Sequence, residues 1–305
     1  MKKIAILSHV VVDEIHRPGE YQVLEQIGGA GAYAAVGASL VSRTGQTLIV
    51  SGVGRGDRLA IQRWAGSRGI DDAGLFDVDE RSPRTRIDYF EDGERIETPA
   101  LGLEHFDAHT PLPRHIPVTA ADLAGAYLFH ADEDPYWRDV AAWRPHVTAP
   151  VLWEISRDSC EPERLTRVRE LAATIDILSI NVSEARELLG RDEADLPDVL
   201  ADMAPIVVLR SGERGSLVIR RRDRIEVPAP RVNAIDPTGG GNSYSGAFLA
   251  AYATTGDFAR AAKAAAAAAA VVVSTIGTPA VDDDARVAVS TAAATLTTIT
   301  RKASI

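Results

Sequence analysis

Short apolar runs separated by stretches of helical spacing recur along most of these 305 residues. That alternation constrains the fold more than any other feature. Lys3–His9 and Thr47–Val53 are compact apolar segments bounded by turn residues, the pattern of buried strands. Between them Ala30–Leu40 is rich in small residues and reads as a helix, and Leu59–Arg68 has helical spacing up to Gly69. From about Gly125 the pattern resumes. Tyr127–His130, Val151–Glu154, Ile175–Ile180 and Ile206–Arg210 read as strands, with helices at Pro162–Ala172 and Ser183–Leu189. Ser216–Ile219 and Arg224–Val227 suit a hairpin about Arg220–Asp223, and Asn242–Ala253, Phe258–Thr275 and Asp282–Thr298 make a helical C-terminal third. Strands alternating with helices build an open, mostly parallel sheet covered by helices on both faces. The expectation is a three-layer α/β domain spanning residues 1–305.

One stretch breaks the pattern. Arg84–Tyr89 and Arg95–Leu101 flank Glu91-Asp92-Gly93-Glu94, a strand–turn–strand signal with Asp-Gly at the turn. It reads as a small β excursion beside the main sheet, placed like a lid.

Composition narrows the function. With 33 Lys and Arg against 43 Asp and Glu the formal charge is −10, which argues against a broad nucleic-acid surface. A nucleotide site needs no such surface, because backbone N–H groups and a few arginines bind phosphates. Cys160 is the sole cysteine, so an intrachain disulfide and a cysteine zinc site are excluded. Lys2 and Lys3 before Ile4–Leu7 imitate a signal peptide, but His9 and Asp13 soon interrupt the apolar run. Ala264–Val273, the longest apolar run, is too short to span a membrane. No membrane partner and a cytoplasmic setting are expected.

The chemistry concentrates at Asp236-Pro237-Thr238-Gly239-Gly240-Gly241-Asn242-Ser243-Tyr244-Ser245-Gly246. Three consecutive glycines opening an apolar helix are costly in chain entropy unless a close approach requires them. Free N–H groups at a helix start attract an anion. A loop that merely turns the chain is the plainer alternative. A Walker A loop is absent, since Gly-Lys-Ser/Thr occurs nowhere in the chain.

This stretch resembles the second signature of the ribokinase-like (PfkB) carbohydrate kinases, Asp-Thr-x-Gly-Ala-Gly-Asp, and its Asn-bearing form looks most like the branch named for killer-toxin maintenance. The resemblance implies the ribokinase-like three-layer fold, with a β lid contributed by about residues 13–28 and 84–110. It implies that Gly239, Gly240 and Gly241 form an anion hole for the transferring phosphoryl group. It places the catalytic base at position 242, which here is Asn242. Further pieces follow in family order. Asp13 matches the residue holding sugar hydroxyls, and Gly28-Gly29-Ala30-Gly31-Ala32-Tyr33 matches the first glycine signature, with Tyr33 where an Asn usually grips the sugar. Gly52–Asp57 resembles the glycine turn after the second major strand. Asn181-Val182-Ser183-Glu184 matches the Asn-x-x-Glu element that places Mg2+, indirectly through Glu184, and the ATP phosphates. Gly212-Glu213-Arg214-Gly215 matches the turn beside the nucleotide, where Arg210 and Thr238 join the nucleotide-binding set. ATP and Mg2+ are thus implied as cofactors, and a monovalent cation is compatible with the family. A sugar or nucleoside-like acceptor is implied, and a homodimer through the β lid is allowed.

Several residues have plainer readings beside these. Asp13 could cap a turn, and Asn181 with Glu184 could simply start a helix. Gly52–Asp57 imitates a dinucleotide fingerprint but lacks its later glycine. His105 and His109, with Glu104 and Asp107 nearby, sketch a metal site. Pro111 and Pro113 follow at once and no third ligand is evident, so a solvated lid edge is expected there. His130 ends a strand and could touch substrate or be structural, and Trp137, Trp143 and Trp153 are expected to pack.

The favoured reading is ATP-dependent phosphoryl transfer to a hydroxyl of a sugar or nucleoside-like molecule, slowed because Asn242 cannot accept a proton at neutral pH. The alternative is a non-catalytic nucleotide- or sugar-binding protein descended from such a kinase. A nicotinamide-dependent dehydrogenase resting on Gly52–Asp57 stands far behind.

Overall fold

The computed structural model describes residues 1–19, 21–90, 95–221 and 223–302. Its strands in chain order are β1 Lys3–Leu7, β2 Val11–His16, β3 Leu24–Gly28, β4 Thr47–Val53, β5 Asp71–Asp77, β6 Arg84–Tyr89 and β7 Arg95–Pro99. Then come β8 Leu123–His130, β9 Val151–Ile155, β10 Ile177–Asn181, β11 Ile206–Arg210, β12 Ser216–Arg220, β13 Asp223–Val227 and β14 Ile299–Lys302. The helices are α1 Gly29–Val41, α2 Arg58–Gly66, α3 Leu103–Ala108, α4 Asp134–Trp143 and α5 Leu165–Ala172, followed by α6 Val182–Leu189, α7 Leu196–Leu200, α8 Gly240–Thr255, α9 Phe258–Val273 and α10 Asp283–Thr295.

Ten strands form the main sheet in the order β14-β13-β12-β11-β10-β9-β8-β1-β4-β5. Every pairing from β5 across to β11 is parallel, and β12, β13 and β14 extend the far edge antiparallel. The two-residue strand period divides the core in two. Ile4 and Ile6 of β1 pack with α1, α8 and α9, whereas Ala5 and Leu7 pack with Trp137 of α4, Val168 of α5 and Leu188 of α6. Helices therefore cover both faces. Trp137 and Trp153 are buried in the second of these cores, where Trp143 packs at its margin. A separate four-stranded sheet has the order β3-β2-β6-β7.

α1 and α8 cross with their backbones in contact. A Cβ on Gly37 would stand 2.1 Å from the Ser243 carbonyl oxygen, and one on Gly246 2.1 Å from that of Ala34. Only glycine fits at either point. Small residues do the same for α9, whose Ala261, Ala265 and Ala268 are fully buried.

Local differences from the sequence expectations have local causes. The first strand stops at Leu7, and β2 leaves the main sheet to start the smaller one. The C-terminal helix, expected through Thr298, stops at Thr295, and Ile299–Lys302 pair with β13 instead. β-branched residues crowd that tail, and they favour strand over helix. Pro162 begins a 3₁₀ turn that delays α5 to Leu165. The Asp92-Gly93 turn lies outside the described residues. No described helix is long and apolar enough to cross a membrane.

Candidate active site

The glycine triplet sits at the head of α8. Gly239 is its N-cap, with φ 71° in the left-handed region, and Gly240 and Gly241 begin the helix. No side chain caps this end. The Thr238 amide bonds to the Asp236 carboxylate at 2.9 Å, Gly240 N–H to the Pro237 carbonyl at 3.2 Å, and Ser243 N–H to that of Gly239 at 2.8 Å. The amides of Gly241 and Asn242 belong to the first helical turn, where no intrahelical carbonyl is available to them. A Cβ on Gly239 would stand 2.0 Å from Tyr33 Cγ. Tyr33, expected where an Asn usually grips the sugar, is buried in α1 with its ring backing the glycine loop, so it joins the two glycine segments.

A guanidinium lies against this loop. Arg210 ends β11, and a Cβ on Gly241 would fall 2.0 Å from its Nη1. Arg210 pairs with Glu154 at 2.9 Å and approaches Glu184 at 3.8 Å. Glu154, on β9 and 2 % exposed, also accepts from the Tyr127 hydroxyl at 2.8 Å and from Asn242 Nδ2 at 3.2 Å. Asn242 Nδ2 lies 3.4 Å from the Tyr127 hydroxyl as well. Burial and the adjoining Glu154 carboxylate push the Tyr127 phenol well above its ordinary range. It therefore stays a neutral donor. Parallel register brings these groups together: Phe129 of β8 faces Glu154 of β9, Glu154 faces Ser179 of β10, and Asn181 faces Arg210. Ser179 in turn reaches the Ser245 hydroxyl of α8 at 2.9 Å.

Asn181 and Glu184 form a reciprocal capping box on α6, with the Glu184 amide bonded to Asn181 Oδ1 at 2.9 Å and the Asn181 amide to Glu184 Oε2 at 3.0 Å. The helix-start reading therefore describes their local geometry. Glu184 nonetheless faces the site: burial raises its carboxyl above the ordinary range while Arg210 pulls it back. Gly212 and Gly215 bracket an exposed turn with φ 58° and 99°. Asp13, 6 % exposed on β2, lies over the head of α1, where a Cβ on Gly28 would stand 2.0 Å from its Oδ2. Gly29 packs on Val11 and on the His9 carbonyl.

A cleft of about 1220 Å³ opens past the carboxyl ends of β1, β5, β8 and β9, lined by His9, Phe76, Phe106, His130, Tyr136 and Ser156 among others. It adjoins the strands carrying Tyr127 and Glu154. His130 stacks on Tyr136 at 3.9 Å and faces Glu133 at 3.3 Å.

Gly52–Asp57 runs from the end of β4 into a packed turn before α2: a Cβ on Gly54 would meet the Arg81 backbone at 2.2 Å, and Asp57 holds Arg84 at 2.8 Å. The dehydrogenase reading loses its only support. His109, expected on a solvated edge, is fully buried, because its backbone seats against Gly52. Sequence reasoning also missed Glu154 and Tyr127. A carboxylate inside the otherwise apolar run Val151–Ile155 was the available signal, since a buried charge requires a partner.

A glycine loop heading a helix at the carboxyl edge of a parallel sheet, with a guanidinium against it, is an α/β arrangement suited to an anion. The model of the pfkB family carbohydrate kinases matches residues 1–284, and this chain belongs to that family. A cytidine kinase of Thermococcus kodakarensis is 25 % identical over 260 residues, 83 % of this chain and 89 % of the relative. Among solved structures, the nucleoside kinase of Methanocaldococcus jannaschii superposes with a TM-score of 0.73 at 22 % identity, covering 95 % of this chain and 99 % of that one. Ribokinase of Thermotoga maritima does so with 0.71 at 19 %, covering 95 % and 100 %. The fold is ribokinase-like.

Proposed function

We propose that this chain transfers the γ-phosphoryl group of ATP to a hydroxyl of a nucleoside-like acceptor. The observation carrying this reading is the Arg210 guanidinium lying against Gly241 at the head of α8. In the proposed mechanism the Gly239–Gly241 loop, through the amides of Gly241 and Asn242 at the head of α8, and Arg210 bind the negative charge that spreads over the phosphoryl oxygens. Gly212, Gly215 and Thr238 line the nucleotide side. Asp13, above the head of α1, accepts hydrogen bonds from acceptor hydroxyls. With its NH2 donated to Glu154, Asn242 has a carbonyl oxygen to orient the reacting hydroxyl but no capacity to take its proton. That proton leaves to solvent or to the phosphate, so turnover is slow. General-base catalysis is worth roughly 10²–10⁴-fold.

Magnesium suits the donor set, since the Glu184 carboxylate is a hard oxygen ligand whose buried charge a cation would offset. It would be held through Glu184 and supply charge neutralisation at the phosphates. The rings lining the cleft favour an acceptor carrying a flat base over a free pentose. The β3-β2-β6-β7 sheet serves as the lid, and exposed Leu24 and Ile96 on it support pairing of two copies. The killer-toxin-maintenance-like assignment rests on the sequence Asp236–Asn242, and a cytoplasmic setting follows from the need for ATP.

The test is transfer of labelled γ-phosphate from ATP to cytidine, adenosine, ribose and deoxyribose. Slow labelling of a nucleoside ahead of the free sugars is expected. ATP binding without labelling of any acceptor would move the assignment to a non-catalytic binding protein.

A further inference from the structure

We infer that Asp79, His105 and His109 form a binding site for a borderline divalent ion of the zinc type, separate from the phosphate site at the head of α8. One ligand atom from each lies within 4.8 Å of the others. His109 lies fully buried, and its Nδ1 is 2.8 Å from the His105 carbonyl oxygen. A carbonyl only accepts, so Nδ1 carries the proton and Nε2 keeps its lone pair. That buried Nε2 has no hydrogen-bond partner. It lies 3.4 Å from Asp79 Oδ1, while His105 Nδ1 lies 3.1 Å from Asp79 Oδ2. Zinc bonds of about 2.0–2.1 Å arranged tetrahedrally set neighbouring ligand atoms about 3.3 Å apart, close to the distance of each imidazole nitrogen from its nearer Asp79 oxygen. Two imidazoles and a carboxylate suit zinc, cobalt or nickel better than magnesium.

Two of the three ligands, Asp79 and His109, are held from outside, as metal ligands are. Asp79 Oδ1 accepts from the Arg81 amide at 3.0 Å, and the Asp79 carbonyl from that of Arg55 at 2.9 Å. The His109 carbonyl accepts from the Gly52 amide at 3.2 Å. The ion would fasten α3, a six-residue helix with no buried residue of its own, to the loop after β5. Because Phe106 and Asp107 of α3 line the cleft, the ion would hold that wall in place.

The experiment is titration of the metal-freed full chain with Co2+, reading visible absorption, followed by displacement with Zn2+. One saturable equivalent is expected, with d–d bands in the tetrahedral range and a higher Tm on adding Zn2+. Asp79→Asn, at a half-exposed side chain, and His105→Ala should each weaken binding at least 10-fold, with the metal-free Tm within a few degrees of wild type. These two variants carry the test, because the buried His109 ring also packs and its replacement would disturb the fold. Absence of a saturable equivalent would overturn the site, as would unchanged affinity in both Asp79→Asn and His105→Ala. So would protonation of His109 as a plain ion pair with Asp79, seen by NMR titration with no response to Zn2+. None of these readouts uses ATP, so the site stands or falls apart from the kinase reading.

Discussion

At the residue scale the decisive contact is the one between Asn242 and Glu154. Asp at position 242 would serve as a base, but Asn242→Asp alone would set two carboxylates where an amide now donates across 3.2 Å. Like charges so close raise one carboxyl pKa and spoil the base. We expect Asn242→Asp to lower Tm and gain little turnover. Asn242→Asp with Glu154→Gln keeps one carboxylate for Arg210 and places it at the head of α8. That pair should raise phosphoryl transfer about 10²-fold over wild type, measured as initial rate at saturating ATP. Equal rates for the double variant and wild type would mean that no oriented hydroxyl reaches position 242. Gly239 and Gly241 separate fold from function in the same region. Gly239→Ala must enter the left-handed region against the Tyr33 ring and should cost about 1–3 kcal/mol in denaturant unfolding. Gly241→Ala meets a side-chain end rather than backbone or a ring, so it should keep the fold while displacing Arg210, at a cost in Tm from loosening the buried Arg210–Glu154 pair.

At the element scale the strand–helix alternation was legible because most β strands of the parallel region are largely apolar runs. Thr47–Val53 and Ile206–Arg210 emerge with the expected bounds. β2 and β5 were not legible. Their Asp13, Glu14, Asp71 and Asp72 break the apolar pattern, and β2 is held by partners distant in sequence: Arg84 bonds Glu14, Glu25 and Asp57 at once. The glycine triplet was legible because three glycines in a row need a steric reason, and Gly239 supplies one, since a Cβ there would meet the Tyr33 ring. Glu154, Tyr127 and Asp79 were not, because register and loop packing, not spacing, bring them to their partners. The capping box of α6 carries its own prediction. Asn181→Ala should cost about 1 kcal/mol of stability, and release of Glu184 should weaken Mg-ATP binding, as calorimetry at fixed Mg2+ would show. Stability loss with unchanged binding would leave the pair a helix cap alone.

At the scale of the whole molecule, pH reports on how the cleft is closed. Burial lowers His9 from 6.5 to about 3, and its Nε2 lies 3.0 Å from the Phe106 carbonyl of α3. The folded state therefore excludes a proton that the unfolded chain binds below about 6.5. Between that pH and about 3 the unfolded state holds more protons, so stability falls as pH falls through this window. His9→Gln should flatten the decline in urea midpoint, and an unchanged slope would assign it to other groups. The same buried architecture brings the heads of α1 and α8 to one edge of the sheet, with Tyr33 between them, and the kinase reading depends on that edge binding phosphate. Calorimetric titration of wild type and Gly241→Ala with Mg-ATP tests this most directly. The account predicts 1:1 binding by wild type and at least 10-fold weaker binding by a Gly241→Ala protein that still unfolds cooperatively. Equal affinity in the two proteins, or no binding by wild type, would contradict it.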